Sequence, residues 1–157
     1  MTERLVCLDT SILIKNLATD EQTPAAASLV EGAVRDGAWL IAPTFAWAEV
    51  GSVLRKKLRQ GLLLPDEAAA LWTAFLDLPI EYVDTRPLQE RTWQIGEQYG
   101  LPTLYDAAFL ACTEVALAPT DAEREFWTAD HELLRQLGAQ PPVYVRQLGA
   151  HGPAGSS

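Results

Sequence analysis

The chain reads as α/β: a three-layer α/β/α sandwich around a central, mostly parallel sheet of four to five strands. Two features predict this. Short runs rich in apolar and aromatic residues recur at Leu5–Leu8, Trp39–Ala42, Ile80–Val83, Glu125–Thr128 and Val143–Val145, the length and composition of strands. Helical patterns fill the gaps, and strands alternating with helices imply βαβ crossovers and a sheet covered on both faces.

Each element has a local cause. The first strand ends at Asp9 and leads into Thr10-Ser11-Ile-Leu-Ile. Thr23-Pro24 opens a helix as N-cap and first helical residue, and Gly37 ends it. Phe45 to Gln60 forms the helix after the second strand, stopped by Gly61. Pro65-Asp66-Glu67 starts another with acids in its first turn, where they meet the positive end of the helix dipole. Asp84 ends the third strand and reads as an ordinary cap for the helix near Pro87; Thr103 begins the next after Gly100-Leu-Pro102. Asp130 follows Phe126-Trp127-Thr128-Ala129 and precedes His131-Glu-Leu-Leu.

A chain of 157 residues fits one domain and buries roughly two-thirds of its unfolded surface. Residues 1–147 are expected to form that domain. Residues 148–157 are expected to be a disordered tail, because His151-Gly-Pro-Ala-Gly-Ser-Ser has no apolar content to bury. Cys7 and Cys112 lack metal or redox spacing and are expected to pack as small hydrophobes in a reducing compartment. Every apolar run is broken well short of a membrane span, so a soluble, cytoplasmic protein is expected. A net charge of -9 argues against a general nucleic-acid coat protein, whose binding is driven by Lys and Arg at phosphates. It does not exclude a nuclease, because cations held by carboxylates invert the local field.

Four acids stand out: Asp9, Glu49, Asp106 and Asp130. Asp9 and Asp130 lie just past the C-terminal ends of strands, the edge where open parallel sheets bind ligands; the competing reading of each is a helix N-cap. Glu49 has Phe45 and Val53 one turn away, and Asp106 has Pro102, Thr103, Phe109 and Leu110 at helical spacing. A carboxylate in such surroundings needs a cation nearby, either a metal or an Arg or Lys partner. Topology brings Asp9, Glu49 and Asp130 to one edge; it leaves Asp106 unplaced.

Between Leu5 and Val145 the chain resembles the PIN domain, and within it the VapC-type ribonuclease toxins of toxin–antitoxin pairs. The likeness rests on four segments in order: Leu8-Asp9-Thr-Ser-Ile-Leu-Ile-Lys15, Ala48-Glu49-Val-Gly-Ser-Val-Leu-Arg55, Leu101-Pro-Thr-Leu-Tyr-Asp106-Ala-Ala-Phe-Leu-Ala111 and Thr128-Ala-Asp130-His-Glu-Leu-Leu134. The resemblance implies a PIN-like fold and a single-stranded RNA substrate cut to leave a 5′-phosphate and a 3′-hydroxyl. It also implies a cognate antitoxin that delivers a basic side chain to the acids, and a homodimer whose interface could involve Phe45–Gln60 and Asp66–Leu76.

Oxygen-only ligands select hard cations, so Asp9, Glu49, Asp106 and Asp130 are candidate ligands of Mg²⁺, with Mn²⁺ able to substitute, and candidate catalytic residues. Activated water would then attack the phosphodiester in line. Asp9 and Asp106 are the most direct ligands in this reading. Glu49 and Asp130 hold waters, a second ion or the general-base position. Thr10, Ser11 and Thr128 either orient these acids or cap adjacent helices. Arg55, Lys56, Lys57 and Arg59 either track an RNA backbone or stabilise a helix C-terminus. Trp47, Trp72, Trp93 and Trp127 stack bases or, as is more usual at such positions, pack in the core or an interface; His131 is expected to point outward. Competing functions are a noncatalytic PIN-like module that binds RNA or protein and a housekeeping RNA-processing nuclease. An aspartyl-nucleophile phosphatase is disfavoured by Ser11, where that class needs a second Asp.

Overall fold

The structure, a computed structural model, describes residues 3–21 and 23–149. The elements run β1 (Arg4–Leu8), α1 (Thr10–Leu17), α2 (Pro24–Arg35), β2 (Trp39–Pro43), α3 (Ala46–Arg59), α4 (Pro65–Leu76), β3 (Ile80–Val83), α5 (Arg86–Tyr99), α6 (Leu104–Val115), β4 (Glu123–Thr128), α7 (His131–Leu137) and β5 (Val145–Gln147). The five strands form one sheet in the order β3-β2-β1-β4-β5. Every pairing is parallel, with Cys7 of β1 beside Ile41 on one side and Phe126 on the other. The expected sandwich is therefore present.

Alternation along β1 shows how the sheet divides the core. Leu5 and Cys7 join Ile95 of α5, Leu110 of α6 and Leu133 of α7, whereas Val6 and Leu8 join Ile12 of α1, Val30 of α2, Val50 of α3 and Phe75 of α4. Successive side chains of a strand point to opposite faces, so a strand covered on both sides must be apolar throughout, as Leu5-Val6-Cys7-Leu8 is. Phe75, Phe109 and Phe126 are fully buried, each contributing roughly 1.5–3 kcal/mol relative to exposure. Cys7 and Cys112 are free and buried; the Cys7 thiol donates to the Phe109 carbonyl. Among the described residues no helix is long and apolar enough to cross a membrane.

Two sequence expectations need correction. Asp84 does not cap α5. Thr85 does, its Oγ1 accepting from Leu88 N at 3.3 Å, while Asp84 accepts from Gln89 Nε2. Thr85 is the last extended residue before helical Arg86 and Pro87, so only its hydroxyl reaches the orphan N–H groups of the first turn. The last strand also starts later than Val143. The Val145 N–H bonds to the Pro142 carbonyl in a turn that leaves Val143 outside, and pairing with β4 runs from Val145 to Gln147. Leu148 N still donates to the Thr128 carbonyl at 2.9 Å; residues 150–157 of the expected tail lie outside the described residues.

Gly51 shows how closely α3 and α4 approach. A Cβ there would sit 3.0 Å from the Trp72 ring. At the other helical layer, Gly100 ends α5 with φ at 60°, the left-handed conformation that lets the chain reverse into α6.

Candidate functional site

β1 lies between β2 and β4, so the chain leaves β1 in opposite directions at its two neighbours and opens a crevice beyond the strand ends. Asp9 sits at that point. Its N–H donates to the Trp127 carbonyl at 3.1 Å and its carbonyl accepts from Ile12 and Leu13, so the backbone extends the β1–β4 pairing and starts α1. The side chain makes no cap. Instead Oδ2 accepts from Thr128 Oγ1 at 2.6 Å and from Ser11 Oγ at 3.2 Å. The same two hydroxyls accept from Asp130 N and Ala129 N, which ties the ends of β1 and β4 together. Burial raises the Asp9 pKa, and the Asp130 charge adds to it; the Thr128 and Ser11 hydrogen bonds oppose the rise.

Glu49 stands in the first turn of α3, where Thr10 Oγ1 donates to its Oε1 at 3.2 Å. Its pKa is raised by burial and by the charges of Asp9 and Asp106. Asp106, in the first turn of α6, is pushed up to about 6 by burial and then by Asp9 and Asp130. Asp130 does cap α7, Oδ1 accepting from Glu132 N and Leu133 N, and its charge is nevertheless felt at Asp9 and Asp106. The fold thus brings Asp9 and Asp106 within electrostatic reach of each other and of both Glu49 and Asp130.

Among the described residues, the ion pairs of the chain lie elsewhere: Arg4 with Glu125, Lys57 with Asp20 and Glu21, Arg91 with Glu114. None involves Asp9, Glu49, Asp106 or Asp130. The acids nevertheless do not close into a cage, since among the described residues no three His, Cys, Asp or Glu groups are gathered as a metal site. The donor chemistry suits a hard divalent cation that keeps most of its waters and takes few direct protein ligands. Burial and, after it, the charges of Asp9 and Asp130 raise the Asp106 pKa, and both are penalties that such an ion relieves.

Other sequence candidates divide. Thr10, Ser11 and Thr128 all donate to the acids, and Ser11 and Thr128 also accept from backbone N–H groups at the entry to α7. The basic run is not one unit: Lys57 is 7 % exposed and paired at 2.6 and 2.5 Å with Asp20 and Glu21, whereas Arg55, Lys56 and Arg59 are exposed beside a groove of about 1030 Å³ between α3 and α4. Trp47 and Trp72 line that groove; Trp127 is partly buried, with Nε1 donating to Glu125, and Trp93 lies exposed on α5, donating to Glu97. His131 is exposed and contacts Gln147.

Sequence reasoning missed an aromatic pair beside the acids. Tyr105, next to Asp106, packs at a right angle on Phe45, with ring centroids 5.2 Å apart. Phe45 in turn packs on buried Phe109. The available signal was an exposed-type aromatic at the start of a helix whose first acid was already a candidate.

Residues 6–136 match the sequence profile of the PIN domain, and the chain belongs to the PIN domain family. Among solved structures, PAE2754 from Pyrobaculum aerophilum superposes with a TM-score of 0.60 at 22 % identity, over 94 % of this chain and 92 % of that one. VapBC2 from Rickettsia felis, solved bound to a DNA fragment from its promoter, gives a TM-score of 0.61 at 13 % identity, over 92 % of this chain and 98 % of the other. A search of curated proteins finds no significant match.

Proposed function

We propose that this protein is a metal-dependent endoribonuclease that cuts single-stranded RNA, and that it serves as the toxin of a toxin–antitoxin pair. The observation that carries the reading is the set of Asp9, Glu49, Asp106 and Asp130, mutually repelling and without an Arg or Lys partner among the described residues, at the C-terminal edge of a parallel sheet. Membership of the PIN domain family supports the nuclease, and the likeness to VapBC2 supports the toxin role and an antitoxin partner.

Asp9 and Asp106 are the direct ligands of Mg²⁺ or Mn²⁺ in this scheme, with Glu49 and Asp130 completing the set. The ion, when bound, supplies a water of lowered pKa and offsets charge developing on the phosphate. The chain's own groups do the rest. The Thr128 and Ser11 hydrogen bonds favour the ionised form of Asp9 against the larger effect of burial and fix the direction of Oδ2. Thr10 anchors Glu49 Oε1 and leaves Oε2 to take the proton of the attacking water. Asp130 is held by the first turn of α7. The water oxygen bonds to phosphorus, the bond to the 3′-oxygen breaks, and a solvent proton completes the 3′-hydroxyl.

A homodimer is proposed on the α3–α4 side, where Trp47, Leu64 and Leu76 are exposed and apolar. A cytoplasmic location is proposed with it. The deciding experiment is cleavage of a mixed-sequence single-stranded RNA with Mg²⁺ or Mn²⁺, beside EDTA and Asp106→Asn. Cutting that needs both metal and Asp106 is expected; RNA binding without any cutting would replace the enzyme by a noncatalytic module. Growth arrest on expression, relieved by a co-expressed neighbouring gene product, separates toxin from housekeeping nuclease.

A further inference from the structure

We propose that Tyr105 is a stacking platform for the nucleobase flanking the scissile phosphate, and therefore a residue that sets base preference; the proposal rests on the ribonuclease reading above. Tyr105 is the second residue of α6 and 57 % exposed. Asp106 follows it directly. The exposed ring therefore stands beside the candidate phosphate site.

The ring is also held in place. Its near-perpendicular contact with Phe45, at 81°, makes a corner, and Phe45 is fixed in turn against Phe109 and the core at an interplanar angle of 86°. Fixing a ring before binding reduces the entropy lost when a ligand stacks on it. The corner bounds a shallow depression of about 470 Å³ lined also by Ala48, Glu49, Ser52 and Val53, within the roughly 300–1,000 Å³ of small-ligand pockets. Its walls are mainly apolar, as a base face requires, and the Ser52 hydroxyl can meet a base edge. Glu49 belongs both to this depression and to the acid set, so the two sites are continuous. A nucleotide with its phosphate at the acids thus has its base at Tyr105. Stacking is tolerant of base identity because every base has a π-face; the edge contacts would supply the preference.

The test uses full-length protein. In the Asp106→Asn background, single-stranded RNA oligonucleotides carrying 2-aminopurine at successive positions are titrated with protein carrying Tyr105, Tyr105→Phe or Tyr105→Leu. Quenching at one position, kept by Tyr105→Phe and lost in Tyr105→Leu with a roughly five- to hundredfold weaker affinity, is expected. In the active protein, Tyr105→Leu is expected to raise KM more than it lowers kcat and to change the bases flanking the mapped cut sites. Trp93→Leu, on α5, is expected to change none of these. Quenching and cut sites that do not respond to Tyr105→Leu overturn the stacking role while leaving the nuclease intact. So does a Tyr105→Leu protein that cuts RNA normally but loses its dimer by light scattering, which assigns the ring to a second copy. Wild-type protein that neither binds nor cuts single-stranded RNA sinks the function and the stacking role together.

Discussion

The Thr128 hydroxyl donates to Asp9 Oδ2 across 2.6 Å, joining residues 119 positions apart at the ends of β4 and β1. Thr128 is fully buried and Asp9 is 6 % exposed, so this bond is shielded from water and stronger than a surface equivalent. Thr128→Val keeps the shape and removes the donor. It should cost roughly 1–3 kcal/mol in urea unfolding, since a buried charged acceptor loses its shortest bond. The loss should be larger at pH 8 than at pH 4, because the hydroxyl favours ionised Asp9. Equal stability at both pH values would show that the bond does not hold the charge.

The raised acids make the metal-free fold sensitive to pH in a defined direction. The Asp106 carboxyl rises from 3.8 to about 6, and Asp9 and Glu49 shift the same way. The folded state therefore binds these protons more tightly than the unfolded state. Their contribution is fully present below the unfolded value and is lost as pH rises through the folded one. With EDTA present, the melting temperature should fall between about pH 4 and pH 7 from this source. Asp106→Asn should flatten that fall and raise the melting temperature at pH 7.5. A variant less stable than wild type at pH 7.5 in EDTA would contradict the repulsion.

Adding Mg²⁺ or Mn²⁺ should reverse the same strain. Melting temperature at pH 7.5 is expected to rise with metal concentration as binding to the folded state alone requires, and the rise should shrink in Asp9→Asn. Metal affinity should weaken as pH drops through about 6, where Asp106 of the metal-free protein takes a proton that competes with the ion. A metal affinity flat from pH 5 to 8 would remove Asp106 from the ligands.

Lys57 is expected to behave unlike its basic neighbours. It ties Asp20 and Glu21, after α1, to α3. Lys57→Met should destabilise by on the order of 1–2 kcal/mol, reduced from the full cost of a broken buried pair because both acids can rehydrate. RNA affinity should be unchanged. Lys56→Ala, at an exposed position, should leave stability within about 0.5 kcal/mol. Loss of RNA binding in Lys57→Met with native stability would reverse this assignment.

The sequence by itself determined the sheet and most of its helices, because the signals are local. Leu5–Leu8 has no polar face and demands cover on both sides, and Thr23-Pro24 and Gly100 mark helix ends through hydrogen-bonding and φ requirements of one or two residues. It also marked Asp9 and Asp130 through their places after strands. Where two local signals competed, as at Asp84-Thr85 or along Pro142–Val145, the choice depended on which group the folded backbone brought into reach. Tertiary structure alone decided the rest. It brought Asp106 to the other acids, joined the Asp9 side chain to Thr128 on the neighbouring strand, paired Lys57 but not Lys56 with the acids after α1 and built the Phe45–Tyr105 corner. Each of these joins residues far apart in sequence, and such contacts are fixed by how helices pack on the sheet, a property that no single stretch of chain contains.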